Sequence, residues 1–165
     1  MLHVCKVYEE ELKYPPAVRF VGKENMLYSV MMVNPDDLRS EGTRQYLHWV
    51  LINVPAQEAA KGFSSLEEWH TPYEGEMEEP VPYHRPLPRV GSQERLVIVV
   101  LEHRKPLVLK HLARNILHKR HMMNVEDYVD VLQEFTDARP IIVAASFIRA
   151  AATTEDAFRA ESLDE

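Results

Sequence analysis

Few residues in this chain have the type and spacing to do chemistry. Asp36 and Asp37 follow Asn34-Pro35. They could act as paired carboxylates, but adjacent residues of a turn point apart, and Asp in a turn ordinarily bonds nearby backbone. His48 stands inside an apolar run, where a hydrogen-bonded core histidine is the plain alternative to a ligand-binding one. The segment 103–125 holds His103, His111, His118 and His121 with Arg104, Lys105, Lys110, Arg114, Lys119 and Arg120, and no carboxylate. His111 with His118, or His118 with His121, lie near metal-ligand spacing. No second Cys, His or Asp cluster completes a tetrahedral set, so no metal is expected. At helical spacing Lys110, Arg114, His118 and His121 share roughly one face, which suits RNA phosphates. A solvated basic face is the alternative. Gly-rich phosphate loops, a G-x-S-x-G elbow, an H-E-x-x-H pair and a Cys triad are all missing, so neither an enzyme nor a cofactor is expected.

Composition bounds what can carry these residues. With 165 residues one domain is the natural count, long enough for a sizeable core, and a hydrophobic content of 45% excludes general disorder. Cys5 is the single cysteine, so no intrachain disulfide can form and a reducing compartment is expected. The formal charge of −7 argues against a body wrapped in nucleic acid, yet it is unevenly spread. Six of the 19 Lys and Arg lie in 103–125, leaving 13 against all 26 Asp and Glu elsewhere. RNA contact is therefore expected to concentrate in that segment. No apolar run approaches a membrane span. The first residues resemble neither a secretory signal nor an Arg-rich transit peptide, so an organellar address would have been removed or be unusually short.

The organising stretch is 26–55, MLYSVMMVNPDDLRSEGTRQYLHWVLINVP. It predicts a strand over 27–33, a polar excursion over 34–44 and a second strand over 46–54, both apolar enough to lie at the centre of a sheet. A short strand over 2–8 and an extended run over 17–21 precede it, and a short helical turn over 56–60 follows, ending near Gly62. The segment 64–89 is an acidic, Pro-rich surface excursion. Six Glu and no Lys or Arg occupy 64–79, and five prolines from Pro72 to Pro88 exclude helix and central strand. Trp69 and Tyr73 are candidate partner anchors there, against a merely solvated loop. A buried strand is expected over 96–101. Leu107, Leu112, Ile116 and Leu117 fit loose helical turns. Asn124 then caps a helix over 125–135, with Glu126 and Asp127 in its first turn. A last buried strand spans 141–148, and a short helix capped by Thr153 or Thr154 follows.

NPDD followed by YLHWVLINVP resembles the phosphatidylethanolamine-binding protein (PEBP) family, in which a DPDxP loop precedes a strand opening W-H-H or L-H-W. The YLHWVLINVP form is closest to the PEBP-like branch of the mitochondrial ribosome's large subunit. A second similarity covers 81–103, with a Pro-rich turn, Gly91, Arg95 and the strand after it. The resemblance implies an α+β, mainly β, fold: a central antiparallel-rich sheet, a smaller sheet and peripheral C-terminal helices, in one N-terminally shortened domain over 1–165. Strands missing before residue 17 would leave a sheet region reduced or supplied by another chain. The resemblance also implies an anion pocket formed by Asn34, Pro35, Asp36, His48, Glu94 and Arg95. Here Asn34 replaces the loop's first Asp, Leu38 its proline, Glu94 the pocket histidine and Leu96 an aromatic. Glu94 removes a donor and adds negative charge where an anion would sit, so the pocket is expected to be degenerate. If Glu94 approaches His48, the pair neutralises itself.

The expected function is accordingly a non-enzymatic structural subunit of a ribonucleoprotein, the mitochondrial large ribosomal subunit, contacting other ribosomal proteins and rRNA in the matrix. An ordinary PEBP-type module in the cytoplasm, binding phospholipid head groups or regulating a kinase, is the alternative.

Overall fold

A computed structural model of the chain describes residues 6–37, 45–62, 77–108, 120, 124–134 and 138–152, with side chains from residue 11. Its centre is β2 (Leu27–Asn34), flanked by β3 (Tyr46–Pro55) on one side and β5 (Gln93–His103) on the other, both antiparallel to it. Alternate residues of these strands point to opposite faces, and both faces are buried. Met31, Val33, Val50, Ile52, Val99 and Leu101 form one core with Leu107 and with Tyr128, Val129 and Leu132 of α2 (Val125–Gln133). Tyr28, Val30, Met32, Trp49, Leu51 and Val100 form the other, covered by Leu12, Val18 and by Ala59 of α1 (Ala56–Lys61). This two-sided burial is why the strands read as continuous apolar runs.

The sheet has six strands in the order β1-β6-β5-β2-β3-β4, where β1 is Lys6–Tyr8, β4 Glu78–Val81 and β6 Ile141–Ala151. β1 lies parallel to β6 and every other pairing is antiparallel. With α1, α2 and a single 3-10 turn (Glu9–Leu12) as its described helices, the architecture is α+β and mainly β. The described residues form one sheet, and a smaller second one is not among them. β2, β3, β5 and both helices fall where sequence periodicity puts them. Asn124 caps α2 in a reciprocal box: its Oδ1 accepts from the Asp127 amide (2.8 Å), and Asp127 Oδ2 accepts from the Asn124 amide (3.1 Å).

Two expectations are corrected. The segment 64–89 is more than a surface excursion, because 78–81 pairs with β3 as an edge strand and Pro80, Pro86 and Pro88 are buried. An edge strand tolerates Pro80, since an edge residue need not donate on its outer side. The last strand is also not buried: Ile141, Ile142 and Val143 are 61%, 53% and 44% exposed, and among the described residues β6 has β5 on one side and β1 along 149–151 on the other. Its apolar run matches a buried strand in sequence, but the covering layer is missing from the described residues. Leu38, Trp69, Tyr73, Lys110, His111, Leu112, Arg114, Ile116, Leu117, His118, Lys119, His121 and the C-terminal helix expected after residue 152 lie outside the described residues.

Candidate functional site

The predicted pocket residues converge at one end of the sheet, where β2 ends and β3 and β5 begin. Asn34 closes β2 and is fully buried. Its side chain acts in two directions. Oδ1 accepts from the Asp36 amide at 2.9 Å, closing an Asx turn, and Nδ2 donates to Glu94 Oε2 at 2.6 Å. Glu94 is itself buried, so this is a charge-assisted bond in a dry place. Pro35 and Asp36 form the turn. Asp36 faces Arg95: the guanidinium donates to both carboxylate oxygens, Nη2 to Oδ1 at 2.7 Å and Nε to Oδ2 at 2.9 Å, and the Arg95 amide adds a bond of 2.8 Å. The Arg95 side-chain hydrogen bonds hold the Asp36 carboxyl below the usual carboxylate range, against a smaller opposing effect of burial.

Asp37 points elsewhere. Its Oδ2 stands 3.9 Å from Nε2 of His48, inside the sheet, and both residues are buried. The neighbouring carboxylates therefore diverge, as expected of adjacent turn residues. His48 Nδ1 donates to the His84 carbonyl at 2.5 Å, which fixes the tautomer because a carbonyl only accepts. The carboxylate measured against His48 is thus Asp37, while Glu94 is bonded to Asn34. Around them Tyr46 packs edge-on to His48, with centroids 4.8 Å apart, and its hydroxyl meets His84 Nδ1 at 2.6 Å. Among the described residues the site gathers the carboxylates of Asp36, Asp37 and Glu94 with the Arg95 guanidinium, and the Asn34 amide and Arg95 are directed at acceptors of the site itself. An incoming anion would have to displace these bonds.

His84 does not stand out in the sequence as a site residue. The available signal is the Tyr83-His84-Arg85 run between prolines, which carries its own His-Arg pair. Tyr83 donates its hydroxyl to the Leu12 carbonyl at 2.6 Å, and burial pushes its phenol up to about 12.

Of the basic candidates, Arg104 and Lys105 are exposed just after β5. Arg120 is placed differently: Nη1 donates to the Leu47 and His48 carbonyls at 3.1 and 3.0 Å, and Nη2 to the Pro82 carbonyl at 2.6 Å. Its own carbonyl oxygen also accepts from Leu47 N–H at 2.7 Å. Arg120 itself is therefore tied to β3 and to Pro82 of the Pro-rich segment. His103, at the far end of the sheet, is buried with Ser29: Nδ1 donates to the Lys105 carbonyl at 2.9 Å, and Ser29 Oγ lies 3.1 Å from Nε2. Among the described residues no three His, Cys, Asp or Glu gather as a metal site.

The fold and this end-of-sheet cluster define a mainly β, PEBP-type domain, and comparison with known proteins agrees. The profile of the phosphatidylethanolamine-binding protein family matches residues 7–139, so the chain belongs to that family. It is similar to protein MOTHER of FT and TFL1 homolog 2 of Oryza sativa subsp. japonica, 34% identical over 107 residues, covering 63% of this chain and 52% of that protein. It is also similar to putative odorant-binding protein A5 of Drosophila melanogaster, 35% identical over 54 residues, or 32% and 26% of the two chains. The chain thus spans about half the length of the first relative and about a quarter of the second. Among solved structures, a phosphatidylethanolamine-binding protein from Plasmodium vivax superposes with TM-score 0.56 at 14% identity, over 92% of this chain and 79% of that one. A carboxypeptidase Y inhibitor in complex with its cognate proteinase gives 0.54 at 14% identity, over 91% and 76%. At that identity these structures speak for the fold.

Proposed function

We propose that this PEBP-family chain is a non-enzymatic structural subunit of a ribonucleoprotein, the large subunit of the mitochondrial ribosome in the matrix. The observation that carries the non-enzymatic, ligand-free part is the Asn34–Glu94 bond of 2.6 Å beside the Asp36–Arg95 pair. Groups that the family resemblance assigns to an anion are here bonded to one another. The ribosomal part is supported by the YLHWVLINVP resemblance and by the acid-free basic segment 103–125 on a chain of net charge −7. In this reading Arg104, Lys105, Lys110, Arg114 and Lys119 contact rRNA, Arg120 positions the segment, and Trp69 and Tyr73 anchor a protein neighbour. The alternative, a PEBP-type module for phospholipid head groups or kinase regulation, draws on the retained Asp36, His48 and Arg95.

Sedimentation of tagged protein from fractionated cells separates the two. Comigration with the mitochondrial large ribosomal subunit is expected, and the Lys110→Glu, Arg114→Glu, Lys119→Glu triple variant should leave that peak while keeping its fold. Each phosphate-neutralising cation removed should also flatten the salt dependence, by about 0.7 in slope for single strands. Protein that sediments alone, or with membranes, overturns the proposal. A triple variant retained at full occupancy removes the RNA contact from it.

A further inference from the structure

We infer that the proline-fixed ridge 85–90 is a docking surface for another protein, whose matching face is an apolar depression rimmed by carboxylates. This goes beyond the ribonucleoprotein reading, because it needs only a protein partner. The sequence makes the segment extended. Proline fixes its own φ and keeps the residue before it out of the helical region, and Pro86 and Pro88 do so at alternate positions. Alternate side chains of an extended chain share one side. The two prolines are buried accordingly, and Arg85, Leu87 and Arg89 are exposed in a row. Val90 prolongs the row, and Leu87 and Val90 are 48% and 47% exposed.

The ridge is held at both ends. Before it, the His84 amide donates to the His48 carbonyl at 2.8 Å, Tyr83 donates its hydroxyl to the Leu12 carbonyl, and Arg120 Nη2 donates to the Pro82 carbonyl. After it, the Ser92 amide and hydroxyl both donate to the Arg89 carbonyl, at 2.9 and 2.8 Å, and Gly91 turns the chain at φ 75°. A surface fixed in this way loses little freedom when it binds.

Charge and polarity select the occupant. The chain has 26 Asp and Glu for 19 Lys and Arg, and other cations use them. Lys23 pairs with Glu102, Lys61 with Glu58, Arg95 with Asp36 and Arg139 with Asp130. Arg85 and Arg89 make no side-chain hydrogen bond or ion pair with the described residues. Their backbones stand roughly 13 Å apart, at about 3.3 Å per residue, with Leu87 midway. Guanidinium groups bind carboxylates and phosphates alike. A phosphate backbone would satisfy the two arginines and leave Leu87 and Val90 in water. An apolar depression with an acidic rim takes all four side chains, and arginine beside apolar anchors is the composition of protein interfaces.

The test is made on the full chain in cells, with photoreactive benzoylphenylalanine in place of Leu87. Irradiation is expected to crosslink it to a second protein, at a peptide with Asp or Glu within a few residues of the attachment point. The Arg85→Glu, Arg89→Glu variant should lower the crosslink yield about tenfold or more. Both positions are exposed, so its melting temperature should match that of the parent. The Arg85→Lys, Arg89→Lys variant keeps the charge but not the bidentate fork, and its yield should fall between the two. Changing the acids of the captured peptide to Lys should restore crosslinking to the Glu variant. A crosslink to RNA, to residues 63–76 of the same chain or to a second copy overturns the inference. So does the lack of any crosslink, or a yield indifferent to charge reversal.

Discussion

Changing Asn34 to Asp isolates the contact on which the closed pocket rests. Aspartate is the residue that the family's loop resemblance puts at this position. It keeps the Oδ1 acceptor used by the Asp36 amide, so the Asx turn survives and only the face toward Glu94 changes. There the variant sets a carboxylate where Nδ2 now donates to Glu94 Oε2 at 2.6 Å, with both side chains buried. The cost has a floor and a ceiling. Losing a hydrogen bond to a charged group costs about 1.5–3 kcal/mol. Two carboxylates at that distance cannot both ionise, so one keeps a proton. Holding a proton near pH 7 on a group that titrates near 4 when unfolded costs at most about 4 kcal/mol, at about 1.4 kcal/mol per pH unit. The variant should thus lose about 2–4 kcal/mol in urea unfolding near neutrality. Its proton-holding carboxyl has a raised folded-state pKa, so stability is fully present below the unfolded value and is lost as pH rises. The deficit relative to wild type should therefore shrink as pH falls from 7 towards 4. Adding Glu94→His should recover most of the loss, a non-additive pair. Equal stability of Asn34→Asp and wild type near pH 7, with parallel pH profiles, would refute the direct Asn34–Glu94 contact.

Other expectations are simpler. Asn53, at φ 58° and buried, clamps Leu107 with two bonds of 2.8 Å, to its carbonyl and from its amide. Asn53→Ala should cost about 3–4 kcal/mol in denaturant titration, from two bonds and left-handed strain, while Asn53→Gly should cost about 1 kcal/mol less. His103 has a folded-state pKa lowered by burial, partly offset by its bond to the Lys105 carbonyl. Its stability contribution is present above about 6.5 and lost as pH falls through the lowered value, so a His103→Gln variant should show a flatter melting-temperature profile across that window. Asp36→Ala removes the bidentate Arg95 contact at a largely solvated surface, and should cost no more than about 1–2 kcal/mol by thermal melting.

The inner strands were legible because burial on both faces leaves an unbroken apolar signature from Leu27 to Val33 and from Tyr46 to Val54. Helix α2 was legible from its cap, where Asn124 and Asp127 stand at the spacing that a reciprocal box needs. β6 carries the same apolar signature without the burial, since sequence pattern reports what a strand could bury and not whether a neighbour covers it. β4 hid behind Pro80, which rules out a central strand but not an edge one. At the site, the resemblance named Asn34, Asp36, Glu94 and Arg95, which lie in contact with one another in the structure. It could not reveal that Asp37 stands beside His48, because which way a turn side chain points is settled by packing. Arg120 read as one cation among six, and only tertiary structure turns it onto the carbonyls of β3.

The central claim is that the family's anion pocket is closed here by its own residues. Isothermal titration of phosphorylethanolamine, and separately of inorganic phosphate, into the full chain tests it directly. No saturable heat is predicted for either, because Asn34 is already bonded to Glu94 and Asp36 to Arg95. A micromolar complex that His48→Ala or Arg95→Ala abolishes would contradict the account.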